Sequence, residues 1–364
     1  MQQSSPSRRD VLKGTAALAS VGAAGALAGC QGGGNPFGDG GGGGGGGGGE
    51  TGSSKPSGSG GASSRSAVVP ARANMVAHVD IETLRTDQNL QKLFNAGVEE
   101  GTGTQDIESA LQEQGLEDID PEQIYDAVFY GEVTETMMGG AGGSEPEYFA
   151  FTLFTGFDAT TVVDALKQTS EVEYTEGTYN GQTTLESPQE QGFFGVVSAG
   201  VYAFGTEQAV KDSIDVAAGS GDAISGDVKN ALTSTKQAPI RFASAVPLPE
   251  EASGGAGAGM QVTSEMELMS GSFLYQASGK VGMQFNMHMG SQQAASEAKQ
   301  SLDQFLSFYK QQAQQQQGGE ELTRIMDNVS ISQNGSVVSI SYEDTVENLI
   351  ALSEGEGLPM GGGF

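Results

Sequence analysis

His78 and Asp80 stand two residues apart in Met-Val-Ala-His-Val-Asp, a run that reads as a strand, so their side chains share a face. A histidine beside a carboxylate is the base-and-orienter half of a hydrolase triad. No G-x-S-x-G or comparable nucleophile motif accompanies the pair, and a triad needs a positioned third member, so an edge or solvent-facing pair is expected. His288, the other of the two histidines, sits beside Gln284 and Asn286 on the polar face of an alternating strand and is expected to face solvent. Two histidines make a poor metal set. Asp118 and Asp120 suggest a calcium loop but lack the Gly at position six and the closing Glu. The Gly-rich runs lack the Lys-Ser/Thr of a phosphate loop. Met283, Met287 and Met289 follow a period of two and read as core. No catalytic, cofactor-binding or metal residue is assigned on these grounds, and no cofactor is expected.

The most reactive side chain is Cys30, the sole cysteine. It excludes internal disulfides, and a lipid on it would exclude thiolate catalysis, Cys-ligated zinc, iron–sulfur clusters and blue copper as well. Leu27-Ala28-Gly29-Cys30 places small residues before a nucleophilic thiol. Residues 15–28 are a weakly apolar stretch of 14 residues, too short to span a bilayer as a helix. Ahead of it stands Ser7-Arg8-Arg9-Asp10-Val11-Leu12-Lys13. In this order and spacing the three parts resemble the signal of a twin-arginine-exported lipoprotein. The resemblance implies Arg8 and Arg9 as the export signal, cleavage of residues 1–29, and lipid on Cys30. It also implies folding before passage through the twin-arginine translocase. One lipid chain holds a membrane only marginally, so a second chain or further contacts are expected.

The chain of 364 residues carries 46 acidic and 17 basic residues, a net charge of -29. Without residues 1–29 it retains 45 acidic and 14 basic residues, near -31. Such self-repulsion destabilises a compact state at ordinary ionic strength. Molar salt screens it, since the Debye length falls to about 3 Å at 1 M. Few Lys, many Asp and Glu spread along the chain, small residues and no Trp look like a protein of an extreme halophile. With the signal, the likeness is to haloarchaeal surface lipoproteins. Nucleic acid is excluded as a partner, because binding needs a basic footprint.

Residues 30–66, with Gly at every position of 40–49, read as a lipidated, disordered tether. Residues 67–353 read as the folded extracytoplasmic part and 354–364 as a disordered tail. Strands are expected over 75–81, 125–133, 147–155, 171–175, 182–186, 193–198, 201–205, 240–246, 272–277, 280–289, 329–332 and 336–342. Helices are expected over 89–99 (capped by Asp87), 105–114, 159–169 (capped by Asp158), after Thr206, and over 227–234, 292–317, 320–326 and 346–352. Asp120-Pro121 opens a short helical turn. Gly-rich loops are expected over 137–144 and 250–259. Asn180-Gly181, Ala199-Gly200, Ser278-Gly279 and Asn334-Gly335 mark hairpin turns. Hairpins separated by long helices favour an α+β fold, with antiparallel sheets covered by helices on one face. Residues 149–169 and 283–309 both run strand, turn, helix and then towards an Asn-Gly hairpin. Two related halves, 67–250 and 260–353, are therefore suspected.

Val69-Pro70 with Met75–Asp80, then Val201-Tyr202-Ala203-Phe204-Gly205-Thr206 and Ser225-Gly226-Asp227, resemble the opening and central segments of the DUF3352-like group of exported proteins of unknown function. That resemblance implies the same order of elements and no catalytic residue. Asn328-Val329-Ser330 and Asn334-Gly335-Ser336 are N-glycosylation sequons, Asn334 lying at the hairpin tip. The reading is a membrane-anchored, non-enzymatic binding or structural ectodomain whose partners are the membrane and other cell-envelope proteins. The alternatives are a solute-binding lipoprotein of a transporter and a hydrolase using His78 and Asp80 or acidic pairs. The charge makes one prediction: the melting temperature should fall steadily as KCl is lowered from molar to tens of millimolar, and a salt-independent value would overturn the halophile reading.

Overall fold

The computed structural model describes residues 65–93, 120–133, 147–169, 173–187, 192–246, 265–315 and 319–353. The expected signal, most of the tether, the helix at 105–114, both Gly-rich loops and the tail lie outside these residues. Of the helix expected over 89–99, residues 88–93 are helical, and Asp87 caps them by accepting from the amides of Asn89 and Leu90 at 2.9 and 3.1 Å.

The first part contributes β1 (Met75–Asp80), α1 (Ile81–Thr86), β2 (Ile124–Gly131), β3 (Phe149–Thr155) and α2 (Ala159–Thr169). It continues with β4 (Thr175–Tyr179), β5 (Gln182–Ser187), β6 (Gly192–Ser198), β7 (Val201–Gly205), α3 (Glu207–Ala217) and α4 (Gly226–Ser234). Then come β8 (Ile240–Ala245), β9 (Met266–Ala277), β10 (Lys280–Met289), α5 (Gln292–Ala313), α6 (Gly319–Asp327), β11 (Val329–Asn334), β12 (Val337–Asp344) and α7 (Val346–Ser353). The fold is α+β. Its strands form one antiparallel sheet ordered β11-β12-β10-β9-β8-β1-β2-β3-β7-β6-β5-β4.

Outward from the β1–β8 pair the two sides follow one plan. Three consecutive strands are laid down, then a helix, and later a hairpin whose second strand pairs with the third strand (β7 with β3, β12 with β10); on the β1 side an extra hairpin, β4–β5, comes between α2 and β6–β7. The segments 149–169 and 283–309, matched in the sequence, occupy equivalent places as β3–α2 and β10–α5. Their Asn-Gly hairpins do not. The Asn180-Gly181 turn joins β4 to β5 at the far edge, and the counterpart of β11–β12 is β6–β7. The strand expected over 171–175 is instead β4, Thr175–Tyr179, because Asn180 and Gly181, at φ 47 and 78, form the turn itself and fix the strand to end at Tyr179.

One continuous sheet stands where several were expected, and helices cover both of its faces. Phe194 and Gly195 are adjacent in β6 and so point to opposite sides. Phe194 packs with Val162 and Val163 of α2. A Cβ on Gly195 would lie 2.6 Å from Val210 of α3, so α3 occupies the other side. Cross-strand register carries these two faces through the whole sheet. On the α2 side run Phe194, Phe204, Phe151, Phe129, Ala77, Phe242, Gly271, Phe285, Ile340 and Ile331. Their rings meet at 4.9 Å (Phe194–Phe204), 5.1 Å (Phe151–Phe204), 5.8 Å (Phe129–Phe151) and 5.6 Å (Phe242–Phe285). Phe242 reaches Phe285 across Gly271, where an added Cβ would lie 2.5 Å from the Phe242 ring.

Asp344 ties the end of the chain together. Its buried carboxylate accepts from Asn328 (2.9 Å), Tyr342 (3.0 Å), the Thr345 amide (2.8 Å) and Asn348 (2.7 Å), and pairs with Arg324. Burial alone would raise its pKa. The hydrogen bonds from Asn348, Thr345 and Tyr342 and the Arg324 charge outweigh burial and hold it below the usual carboxylate range. A carboxylate depressed in the folded state contributes stability above its unfolded pKa and loses it as pH falls through the folded value. Asp344→Asn should therefore be less stable than the native chain at pH 7. The gap should close below about pH 4, read by chemical denaturation at fixed salt.

Candidate functional site

Asp126 lies in Ile-Tyr-Asp-Ala-Val-Phe-Tyr-Gly, an apolar central strand, and is only 7% exposed. A carboxylate in that setting has to be paired. Its Oδ1 lies 2.8 Å from His78 Nε2 on β1, and its Oδ2 lies 2.8 Å from an Arg65 guanidinium nitrogen. The Arg65 guanidinium also sits 4.6 Å over the Phe154 ring. Directly after it comes the 3-10 turn Ser66–Val68. The Val68 carbonyl accepts from Ser213 of α3 at 2.9 Å, and Val69 accepts from the Ile224 amide at 2.8 Å. The chain thus enters the fold already fastened: by charge at Arg65, and by backbone at Val68 and Val69.

His78 and Asp80 share a face as expected, but they do not pair. The Asp80 carboxylate caps α1, accepting from the Thr83 amide and hydroxyl at 2.7 Å each. His78 is 5% exposed rather than solvent-facing, because β1 is flanked by β2 and β8 at the centre of the sheet. Its partner is 48 residues away in sequence. The other ring nitrogen, Nδ1, has no hydrogen-bond partner among the described residues. A triad base would direct one nitrogen to a carboxylate and the other to a hydroxyl or thiol; here only the first half is present.

The face opposite the aromatic row carries a second row. From β11 inward it reads Ser330, Ser341, Gln284, Ser272, Arg241 and His78, then Val128, Thr152, Ala203 and Gly195. Beside it a hydrogen-bonded chain links Ser339 to Asn286 (2.7 Å), Asn286 to Ser270 (3.3 Å) and Ser270 to His288 (2.8 Å). His288 is therefore half-buried, not solvent-facing, and Asn286 is buried, so β10 is not the one-sided strand that its alternation suggested. Helix α4 packs on β8 and β9. Burial lowers the His288 pKa, against the opposing charge of Asp227 on α4.

Asn328 donates its side-chain amide to Asp344, whereas Asn334 is exposed at the tip of the β11–β12 hairpin. Arg8, Arg9 and Cys30 lie outside the described residues. Among those residues no group of three or more His, Cys, Asp or Glu could hold a metal ion, and no helix is long and apolar enough to cross a membrane.

The chain matches no protein-family model and no curated protein. Among solved structures it is similar to the treponemal protein TP0453 in its crystal form I. That likeness has 9% sequence identity and a TM-score of 0.42, over 79% of this chain and 96% of that one.

Removing Arg65 leaves a buried carboxylate with a histidine alone. Arg65→Ala should cost about 3 kcal/mol in denaturant unfolding. It should also admit protease at residues 65–69, located by mass spectrometry of the fragments. Arg65→Lys should fall between, since a point charge restores the pair but not the stacking on Phe154.

Proposed function

We propose that this chain is a surface lipoprotein of a halophile, held on the extracytoplasmic face of the cell membrane by lipid on Cys30, with a non-enzymatic binding or structural ectodomain. One observation carries the ectodomain reading. Both oxygens of Asp126, the carboxylate that pairs with His78, are taken by partners inside the chain, and one of these is the residue where the tether meets the fold. That arrangement suits a junction under constraint better than a site awaiting a substrate. The engagement of the Asp80 carboxylate as a helix cap weighs against the His78–Asp80 form of the hydrolase alternative. The solute-binding alternative calls for two lobes that close on each other. The continuous ladder through β1 and β8 weighs against that.

Within this reading Arg8 and Arg9 direct export through the twin-arginine translocase, and other cell-envelope proteins are the partners. Asn334 is the better placed of the two sequons, because Asn328 has its amide nitrogen occupied by Asp344. The anchor is tested by fractionation in molar KCl. The native chain should partition into the detergent phase and Cys30→Ser into the aqueous phase. An unchanged distribution would overturn the lipid anchor.

A further inference from the structure

Helix α5 is 22 residues long, about 33 Å, and its first half is the part that lies on the sheet. Ala294, Ala295, Ala298 and Leu302 pack there against Met287, Met289 and Val338. The same stripe continues as Phe305, Leu306 and Tyr309. The sequence pattern places these residues in the core. Instead, Phe305 is 47% exposed; it and Phe308, which lies beside the stripe and is 61% exposed, are the large hydrophobics that stand open among the described residues. Their rings are not scattered. Phe305 lies 4.4 Å from Tyr309, and Phe308 meets Tyr309 edge-on at 5.6 Å.

The surroundings are as unusual as the rings. In a chain with 46 Asp and Glu, none occurs from Gln304 to Gly319. The one charge in that span, Lys310, is paired with Asp327 at 2.9 Å. The polar residues beside the rings are glutamines, among them Gln304, Gln311 and Gln312. A surface that is acidic elsewhere is here aromatic, with its one cation neutralised by Asp327. Shallow burial of the rings would dehydrate no carboxylate of residues 304–319, and Asp327 beside them is already paired with Lys310; dehydration of free carboxylates is the main obstacle to bringing acidic protein against an apolar phase. The two phenylalanines expose roughly 200 Å² between them. A stable dimer buries about 800 Å² on each partner, so a second copy is poorly served by this patch.

We propose that Phe305, Phe308 and Tyr309 form a membrane-interface contact that seats the folded domain on a lipid bilayer. The proposal rests on the lipid-anchor reading and deepens it by naming the domain's own partner as the headgroup–acyl boundary. Aromatic side chains favour that depth, and shallow insertion needs only a few of them. A single lipid chain binds marginally, and the patch supplies the second contact that firm attachment requires. The 34 residues between Cys30 and Arg65 would reach roughly 30–35 Å as a flexible chain, enough for the domain to turn α5 towards the bilayer.

The chain contains no Trp, so Phe308→Trp places a single indole in the patch. In the full chain carrying Cys30→Ser, vesicles of phosphatidylcholine with a fifth phosphatidylglycerol in 2 M KCl should shift its emission to the blue. Brominated acyl chains should quench it. Phe305→Ser with Phe308→Ser, in the same background, should lower vesicle partitioning about tenfold. Unshifted, unquenched emission overturns the proposal, even if the lipidated native chain floats with vesicles; in that case the anchor reading survives. A patch-dependent dimer in sedimentation, with no vesicle binding, overturns it in favour of self-association. Flotation of the native chain no stronger than that of Cys30→Ser, with the indole quenched, would overturn the anchor and leave the patch.

Discussion

Register between β1 and β8 is the constraint that everything else respects. Ala77 opposite Phe242 and His78 opposite Arg241 hold two half-sheets in one frame. A slip of one residue there would turn every side chain of one half to the other face. The aromatic row would then break at the seam, and its rings would meet the serines and His78. Both rows are buried near the middle, so neither could be left to water. Turns fix register inside each hairpin, but β1 and β8 lie far apart in sequence and share no turn. Side-chain complementarity across the seam has to do that work: a small Ala77 beside the bulky Phe242, and Gly271 on the next strand, which opens room for the Phe242 ring.

The few cations of this acidic chain are placed with the same economy. Arg65 stacks on Phe154 while pairing with Asp126. Arg72 lies 4.3 Å over Tyr148 and bonds to Glu132. Lys236 lies 3.9 Å over Tyr275 and pairs with Glu343. Each of these three cations meets a carboxylate and a ring together. The ring contact does not depend on the carboxylate, so these positions keep part of their attraction when salt screens the ion pair.

Most elements are legible from local signals, because caps and tight turns act over two to four residues. Asp87, Asp158 and Asp120 cap as their spacing suggests, and three of the four two-residue turns form where expected; the fourth falls one residue later, at Gly335-Ser336, because Asn334 still pairs with Val337 as the last residue of β11. What spans distance was not legible. The partner of His78 comes from another strand, and Arg65 looked like the end of a tether. One clue was present: an aspartate inside Ile-Tyr-Asp-Ala-Val-Phe-Tyr has to find a counter-charge if that strand is central. Alternation in β10 promised a dry face and a wet one, yet a neighbouring helix covers part of the wet one. The stripe on α5 reads as core throughout, because periodicity reports which residues share a side and not how far the sheet extends beneath them.

The point where the chain enters the sheet has a mechanical side. A pull arriving through the residues ahead of Arg65 does not reach an edge strand such as β4 or β11, which could peel away one hydrogen bond at a time. It meets the Arg65–Asp126 pair first, then the bonds of Val68 and Val69 to Ser213 and Ile224, and only then β1, laddered to β2 on one flank and to β8 on the other. Load is thus shared between two ladders once it reaches β1.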